Sequence, residues 1–428
     1  MMNIIITAIF IIGYLAIASE HFIKINKTAM ALLTGVLCWT VYILFQTDTQ
    51  IISEGLVDRL GDISGILFFL IGAMTIVELI DSHDGFEVIT NRITTTNKRT
   101  LLWIISFLAF FLSAVLDNLT TTIVLVTLLR KLVPEKKERL LYIGMVIIAA
   151  NSGGAWSPIG DVTTTMLWIG NQITSTNIIL RLFLPSLFSL LIPLIVVTFT
   201  VKGNVAPKLL TSLDEKREIN TKEKNIIFFL GLGVLLFVPV FKTITHLPPF
   251  MGMLFGLGLL WLITEMMHKN KEAEQRHQFS VTTALQRMDM PSVLFFLGIL
   301  LAISSLQSTG QLDRLAAIMN HNIGDTNAIA ASFGLLSAIV DNVPIVAAAI
   351  GMYPLSQFPT DHSFWEIIAY CAGTGGSILV IGSAAGIAAM GLEKIEFFWY
   401  LRKISWLALI GYFAGIAVYL AEEIGMHF

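Results

Sequence analysis

Ten stretches of this chain, near residues 3–19, 28–45, 64–80, 141–169, 182–201, 226–242, 249–267, 291–307, 366–390 and 404–421, are apolar over long runs. A helix crosses the hydrocarbon core of a bilayer in about 20 residues. A chain with so many such runs is expected to fold in lipid as an all-α polytopic membrane protein of about 10 spans. Composition agrees. The chain is 55% hydrophobic and 13% charged, at a mean hydropathy of +0.78, against roughly 25% charged in soluble domains. The net charge of −3 says little about partners. The bilayer is the partner that composition dictates, and nothing points to nucleic acid. Cys38 and Cys371 both lie in apolar segments and read as packing residues. The first run lacks the positive leader of a signal peptide and reads as a retained span, with a bacterial inner membrane as the expected address.

Two more apolar runs, 101–133 and 328–352, each carry an acid where lipid penalises one. SAVLDNLTTT, Ser113 to Thr122, and SAIVDNVPIV, Ser337 to Val346, share a Ser-x-x-x-Asp-Asn arrangement. Flanking charge decides what these runs are, because cytoplasmic loops are enriched in Lys and Arg. Lys24 and Lys27 place the first loop inside, and the acidic connection Gln46 to Asp62 lies outside. Run 101–133 then has Arg92, Lys98 and Arg99 before it and Arg130, Lys131, Lys136, Lys137 and Arg139 after it. Basic clusters on both flanks predict a re-entrant hairpin from the cytoplasm, with Asp117 and Asn118 at its tip. Run 328–352 has only Arg314 before it and no Lys or Arg in SQFPTDHSFWE after it, which predicts a hairpin from outside.

The halves correspond. GILFFLIGAM from Gly65 matches SVLFFLGILL from Ser292, Asp62 falls opposite Asp289, and NSGGAWSPIGDVTTTM from Asn151 matches GTGGSILVIGSAAGIAAM from Gly373. A first repeat over 1–202, a cytoplasmic linker over 203–225 and a second repeat over 226–428 follow. Because one half starts outside and the other inside, the repeat is inverted, an arrangement many secondary transporters share. Gly153-Gly154 with Pro158-Ile159-Gly160, and Gly375-Gly376 with Gly382, predict breaks in the spans 141–169 and 366–390. Unwound backbone at that depth is tolerated only where it is buried in protein or lines a cavity. Two tips and two breaks can therefore converge on one midplane site.

Asp117 and Asp341 lead the candidate residues, since ionisable groups at bilayer depth mark ion or proton pathways by default. Capping a hairpin helix is compatible with that role. Asn118 and Asn342 offer amide oxygens beside the acids and are equally suited to forming the turns. Asp161 follows the first break and has no acidic twin, because Ser383 stands opposite it. Asn151, Thr120, Ser157, Thr164, Ser337, Thr374 and Ser377 supply further oxygens, each also suited to helix back-bonding. Glu78 and His83 read as an interfacial solvated pair, and Trp156 as a wall of the site. Gly85 to Thr96 and Glu393 to Arg402 are suited to the membrane surface or to linking spans. Neither a P-loop, a dinucleotide fingerprint nor His-Glu-x-x-His occurs, so the chain is not expected to be an enzyme.

With SAVLDNLTTT, NSGGAWSPIGDVTTTMLW, SAIVDNVPI and GTGGS…IGSAAG in that order over nearly the whole length, the chain resembles the ion transporter superfamily, most closely its NhaD-type sodium/proton antiporters. The resemblance implies secondary-active exchange of sodium or lithium for protons by alternating access, without a cofactor, in a homodimer. Dicarboxylate carriers of the superfamily have neutral tips resembling Ser-Asn-Thr, whereas this chain has acids there. Three acids repel an anion and suit a small hard cation. The alternatives are an arsenite permease, which the chain resembles at the Asn-x-Pro step after the second tip, and a cation channel without proton coupling. Asp341→Asn is expected to abolish exchange in a folded protein.

Overall fold

The computed structural model describes residues 1–205 and 220–426. Among them the regular structure is helical, apart from one isolated bridge between Asn97 and Asn204. Eight of the described helices are long and apolar enough to cross a membrane, and Met2–Ala18, Asn342–Met352 and Ala384–Glu393 are shorter apolar ones. The chain is an all-α polytopic membrane protein. Of the expected linker 203–225, residues 206–219 lie outside the described residues.

The connection Gln46 to Asp62 is not the loop its charges suggest. Helix Thr49–Ser82 runs unbroken for 34 residues, started by the Asp48 side chain accepting from Ile51 N. Glu54, Asp58 and Asp62 are exposed and stand four residues apart, on one helix face, so the stretch keeps its charge in solvent without leaving the helix. Helix Gln311–Asn322, which joins Met290–Ser308 to the second hairpin, has no counterpart in the sequence reading.

Both Asp-Asn runs reverse direction at their acids. Helices Lys98–Leu116 and Asn118–Leu132 meet at Asp117, whose φ of 111° is open to few side chains. Their far ends meet the start of helix Lys136–Ala155: Tyr142 Oη donates to Lys98 O at 2.8 Å and Arg139 Nη1 to Val133 O at 2.8 Å. At the other end Ser113 Oγ donates to Ala150 O at 2.6 Å. Helices Thr326–Ser337 and Asn342–Met352 do the same against Ser363–Gly375. Ser337 Oγ donates to Ala372 O at 2.9 Å, while the Tyr353 and Phe364 rings lie 4.8 Å apart at the base. The glycine-rich spans are broken where the sequence suggests, between Ala155 and Val162 and between Gly375 and Ala384.

The two halves make equivalent close approaches. A Cβ on Gly153 would lie 2.1 Å from Phe110 O, and one on Gly375 would lie 2.1 Å from Gly334 O. In each case the obstacle is backbone of a hairpin arm, which cannot swing aside. Gly153→Ala is therefore expected to destabilise the protein by about 1–3 kcal/mol through overpacking, read as a lower detergent melting temperature beside an unchanged Gly233→Ala control, where a Cβ meets open space.

Outside this group, helix Lys27–Leu44 packs along Met290–Ser308. Thr28 Oγ1 donates to Pro291 O at 2.9 Å, and Trp39 Nε1 to Leu301 O at 2.9 Å, so the two helices run in the same direction.

Candidate functional site

Each candidate acid begins a helix. Asp117 accepts from Thr120 N at 2.7 Å and Thr120 Oγ1 at 3.0 Å. Asp341 accepts from Val343 N at 3.3 Å. Asp161 accepts from Thr163 N and Thr163 Oγ1, both at 2.9 Å. A capping side chain satisfies amides that a helix start leaves bare, so the three residues hold their carboxylates at chain interruptions. Ser383, opposite Asp161, has the same capping position and accepts from Gly386 N at 3.2 Å.

The convergence centre is Asp161, 2% exposed. Asn118 Nδ2, from the first tip, donates to Asp161 Oδ2 at 2.8 Å. Asn342 Nδ2, from the second, donates to the same oxygen at 3.1 Å and to Oδ1 at 3.3 Å. One carboxylate thus ties together both tips and the first break. Asn151 completes the bridge between the halves: its Oδ1 accepts from Asn118 Nδ2 at 3.0 Å, and its Nδ2 donates to Ser377 Oγ at 2.8 Å and Ser383 Oγ at 2.9 Å. With their amide nitrogens engaged on Asp161, Asn118 and Asn342 keep their carbonyl oxygens as acceptors.

Other candidates are committed elsewhere. Ser337 donates to a backbone carbonyl, as do Thr374 to Tyr370 O at 2.7 Å, Thr164 to Asp161 O at 2.9 Å and Ser157 to Ala114 O. Trp156 packs with Phe110 and Phe183, at ring separations of 5.8 and 5.2 Å. His83 is not a solvated interfacial residue: it is 0% exposed, stacked 5.3 Å from His268, with Nδ1 against Leu79 O at 2.8 Å. The helix of Thr49–Ser82 runs on to place that ring between other aromatics. Glu78 instead lines a cavity of about 350 Å³ together with Leu119 and Thr120, the latter holding Asp117. Asp81, Asp84, Glu87 and Asp289 also line it, against Lys131 and Arg287. That excess of carboxylates raises the local concentration of cations.

Lys27, whose charge places the first loop inside, is also a neighbour of the site. Its Nζ lies 3.3 Å from Asp341 Oδ2. Among the described residues, no group of three or more His, Cys, Asp or Glu is arranged to hold a metal ion. Of the three acids, Asp161 alone receives side-chain amides, while Asp117 is met by Thr120 and Asp341 by Val343 N and Lys27.

Broken helices, paired tips and a buried acid shared between them are the arrangement of a membrane transporter. Residues 10–373 match the CitMHS family, described as "Citrate transporter". The chain is 49% identical to "Sodium/proton antiporter 1" of Arabidopsis thaliana over 98% of its own length and 72% of that protein. It is 47% identical to "Sodium/proton antiporter 2" of the same plant over 96% and 98%. It is 30% identical to "Na(+)/H(+) antiporter NhaD" of Vibrio cholerae over 96% and 90%. The chain belongs to the CitMHS transporter family, in the branch that holds the NhaD-type antiporters.

Proposed function

We propose that the chain is a secondary-active sodium or lithium/proton antiporter, exporting the cation in exchange for protons by alternating access. The observation that carries this reading is the pair of tip amides, from Asn118 and Asn342, that meet on Asp161. The names of its relatives, sodium/proton antiporters in a plant and in bacteria, support it.

The chemistry follows from what a carboxylate can hold. An ionised acid at this depth is costly unless neutralised, and a proton or a sodium ion each does so. Asp161, Asp117 and Asp341 are the shared exchange groups, and Asn118, Asn342, Asn151, Thr120 and Ser377 the surrounding polar ligands. A sodium ion takes carboxylate oxygen together with amide and hydroxyl oxygen. When it leaves, a proton takes the carboxylate. Loaded forms cross the barrier and the bare charged form does not, which couples the two fluxes. Citrate, named in the family's description, fits poorly: a carboxylate cargo would face three like charges. Arsenite, a neutral hydroxide, has no use for three acids.

We further assign residues 1–202 and 226–428 as inverted repeats, supported by the equivalent approaches at Gly153 and Gly375. The two hairpins and two broken helices form the carrying unit, and the helices outside form its frame. The bacterial cytoplasmic membrane is the assigned address, on the charge pattern and the bacterial relatives, although identity to the two Arabidopsis proteins is higher. A homodimer is assigned on the family resemblance, with the mass of the detergent-solubilised protein as its check.

The test is purified protein in proteoliposomes carrying an internal pH dye. After a proton gradient is imposed, sodium or lithium is expected to dissipate it, arsenite is expected to do nothing, and Asp341→Asn is expected to be flat. A wild type flat to every cation across pH rejects antiport. Full sodium-dependent flux in Asp341→Asn removes that residue from the exchange groups.

A further inference from the structure

Lys27 and Asp341 stand 314 positions apart in sequence and in contact in space, on parts of the molecule with different partners. Asp341 starts the second hairpin arm, next to Asn342, which donates to Asp161. Lys27 begins a helix pinned to Met290–Ser308 by the bonds from Thr28 and Trp39. The side chains are 20% and 12% exposed, where solvent and salt screen a charge pair less than at an open surface. The Phe295 ring lies under Lys27 Nζ at 4.4 Å and holds the ammonium over the site by a cation–π contact. Asp117, at the other tip, is instead met by the neutral amide and hydroxyl of Thr120. The two tip acids are thus alike in sequence and unlike in charge compensation.

We infer that Lys27 is an affinity-setting residue of the transport cycle: its ammonium occupies Asp341 and the transported cation must displace it. The inference rests on the antiport reading. It follows from charge balance, because ammonium and sodium carry the same charge and either can neutralise one carboxylate. A tethered ammonium keeps Asp341 itself compensated between cargoes, while Asp117 and Asp161 are met only by neutral donors, so the empty site still carries bare charge and does not cross. The same ammonium lowers the apparent affinity for sodium, because each binding event first breaks an ion pair. Held on the neighbouring helix rather than on the hairpin, Lys27 acts on Asp341 only while the two lie together.

The experiment measures sodium-dependent proton flux against sodium concentration in proteoliposomes for wild type, Lys27→Met, Lys27→Gln and Lys27→Arg. Removing the ammonium is expected to lower the apparent KM for sodium about 3- to 10-fold, the size of a partly screened ion pair, while the maximal rate changes less than KM. Lys27→Arg, which keeps the charge, is expected to return KM toward the wild-type value. An active Lys27→Met with unchanged or raised KM overturns the inference. So does loss of folded protein in both neutral variants that Asp341→Asn in the same chain fails to rescue, since Lys27 would then be purely structural. A wild type without sodium-dependent flux, by contrast, removes the antiport reading itself.

Discussion

Asp161→Asn is expected to reduce sodium- and lithium-dependent proton flux in proteoliposomes to that of protein-free vesicles, with the purified protein still monodisperse in detergent. The substitution changes almost no volume, so its effect is charge and hydrogen bonding alone. Asp161 offers oxygens on both sides, and these receive Asn118 Nδ2, Asn342 Nδ2, Thr163 N and Thr163 Oγ1. An asparagine keeps one acceptor oxygen and turns the other side into a donor, facing donors. At least one tip amide then loses its partner inside the protein, at about 1–3 kcal/mol. The negative charge that a sodium ion or a proton would neutralise is also gone. Sodium-induced thermal stabilisation of the detergent-purified protein should vanish in parallel, because a cation that no longer binds the folded state cannot stabilise it. Retained sodium stabilisation in Asp161→Asn, with flux lost, would move cation binding to Asp117 or Asp341 and leave Asp161 a proton group.

Asp161 also marks how far the sequence is legible. The apolar runs, the hairpin acids and the glycine breaks can be read directly, because each is a local clash between residue type and lipid. Which acid is central is not local. Asp117 and Asp341 attract attention as a symmetric pair, yet it is the unpaired Asp161 that receives both tip amides. Its lack of a twin is the available signal, since a single carboxylate between two symmetric asparagines is the simplest way to join them. Lys27 carries no such signal. In sequence it is one of two basic residues in a short loop, and its contact depends on how two distant helices pack. The long helix Thr49–Ser82 is hidden for another reason: its exposed acids resemble a loop composition, although Glu and Asp on one helix face are compatible with a helix extending into solvent.

Glu366→Ala is expected to cost about 3–5 kcal/mol of stability, the penalty for stripping one partner from a buried ion pair. It should appear as a large fall in detergent melting temperature and in folded yield. Glu366 is 3% exposed. It accepts from Arg181 Nε at 3.0 Å, Asn177 Nδ2 at 2.6 Å and Tyr419 Oη at 2.7 Å. Removing it takes the buried carboxylate away from the Arg181 guanidinium, which cannot shed its charge. The protein that does fold should retain a wild-type apparent KM for sodium, because Glu366 has spent its oxygens on fixed donors. The same logic covers Glu393, held by Arg130 at 2.5 Å and Arg139 at 2.9 Å. Burial of an acid therefore does not by itself mark the transport path in this protein. The partners do: an arginine neutralises its carboxylate permanently and welds helices together. Asp161 and Asp341 are met instead by amides and by a lysine, which on the proposed mechanism a cation displaces. An altered sodium KM in folded Glu366→Ala would show that the weld and the exchange site are mechanically one unit.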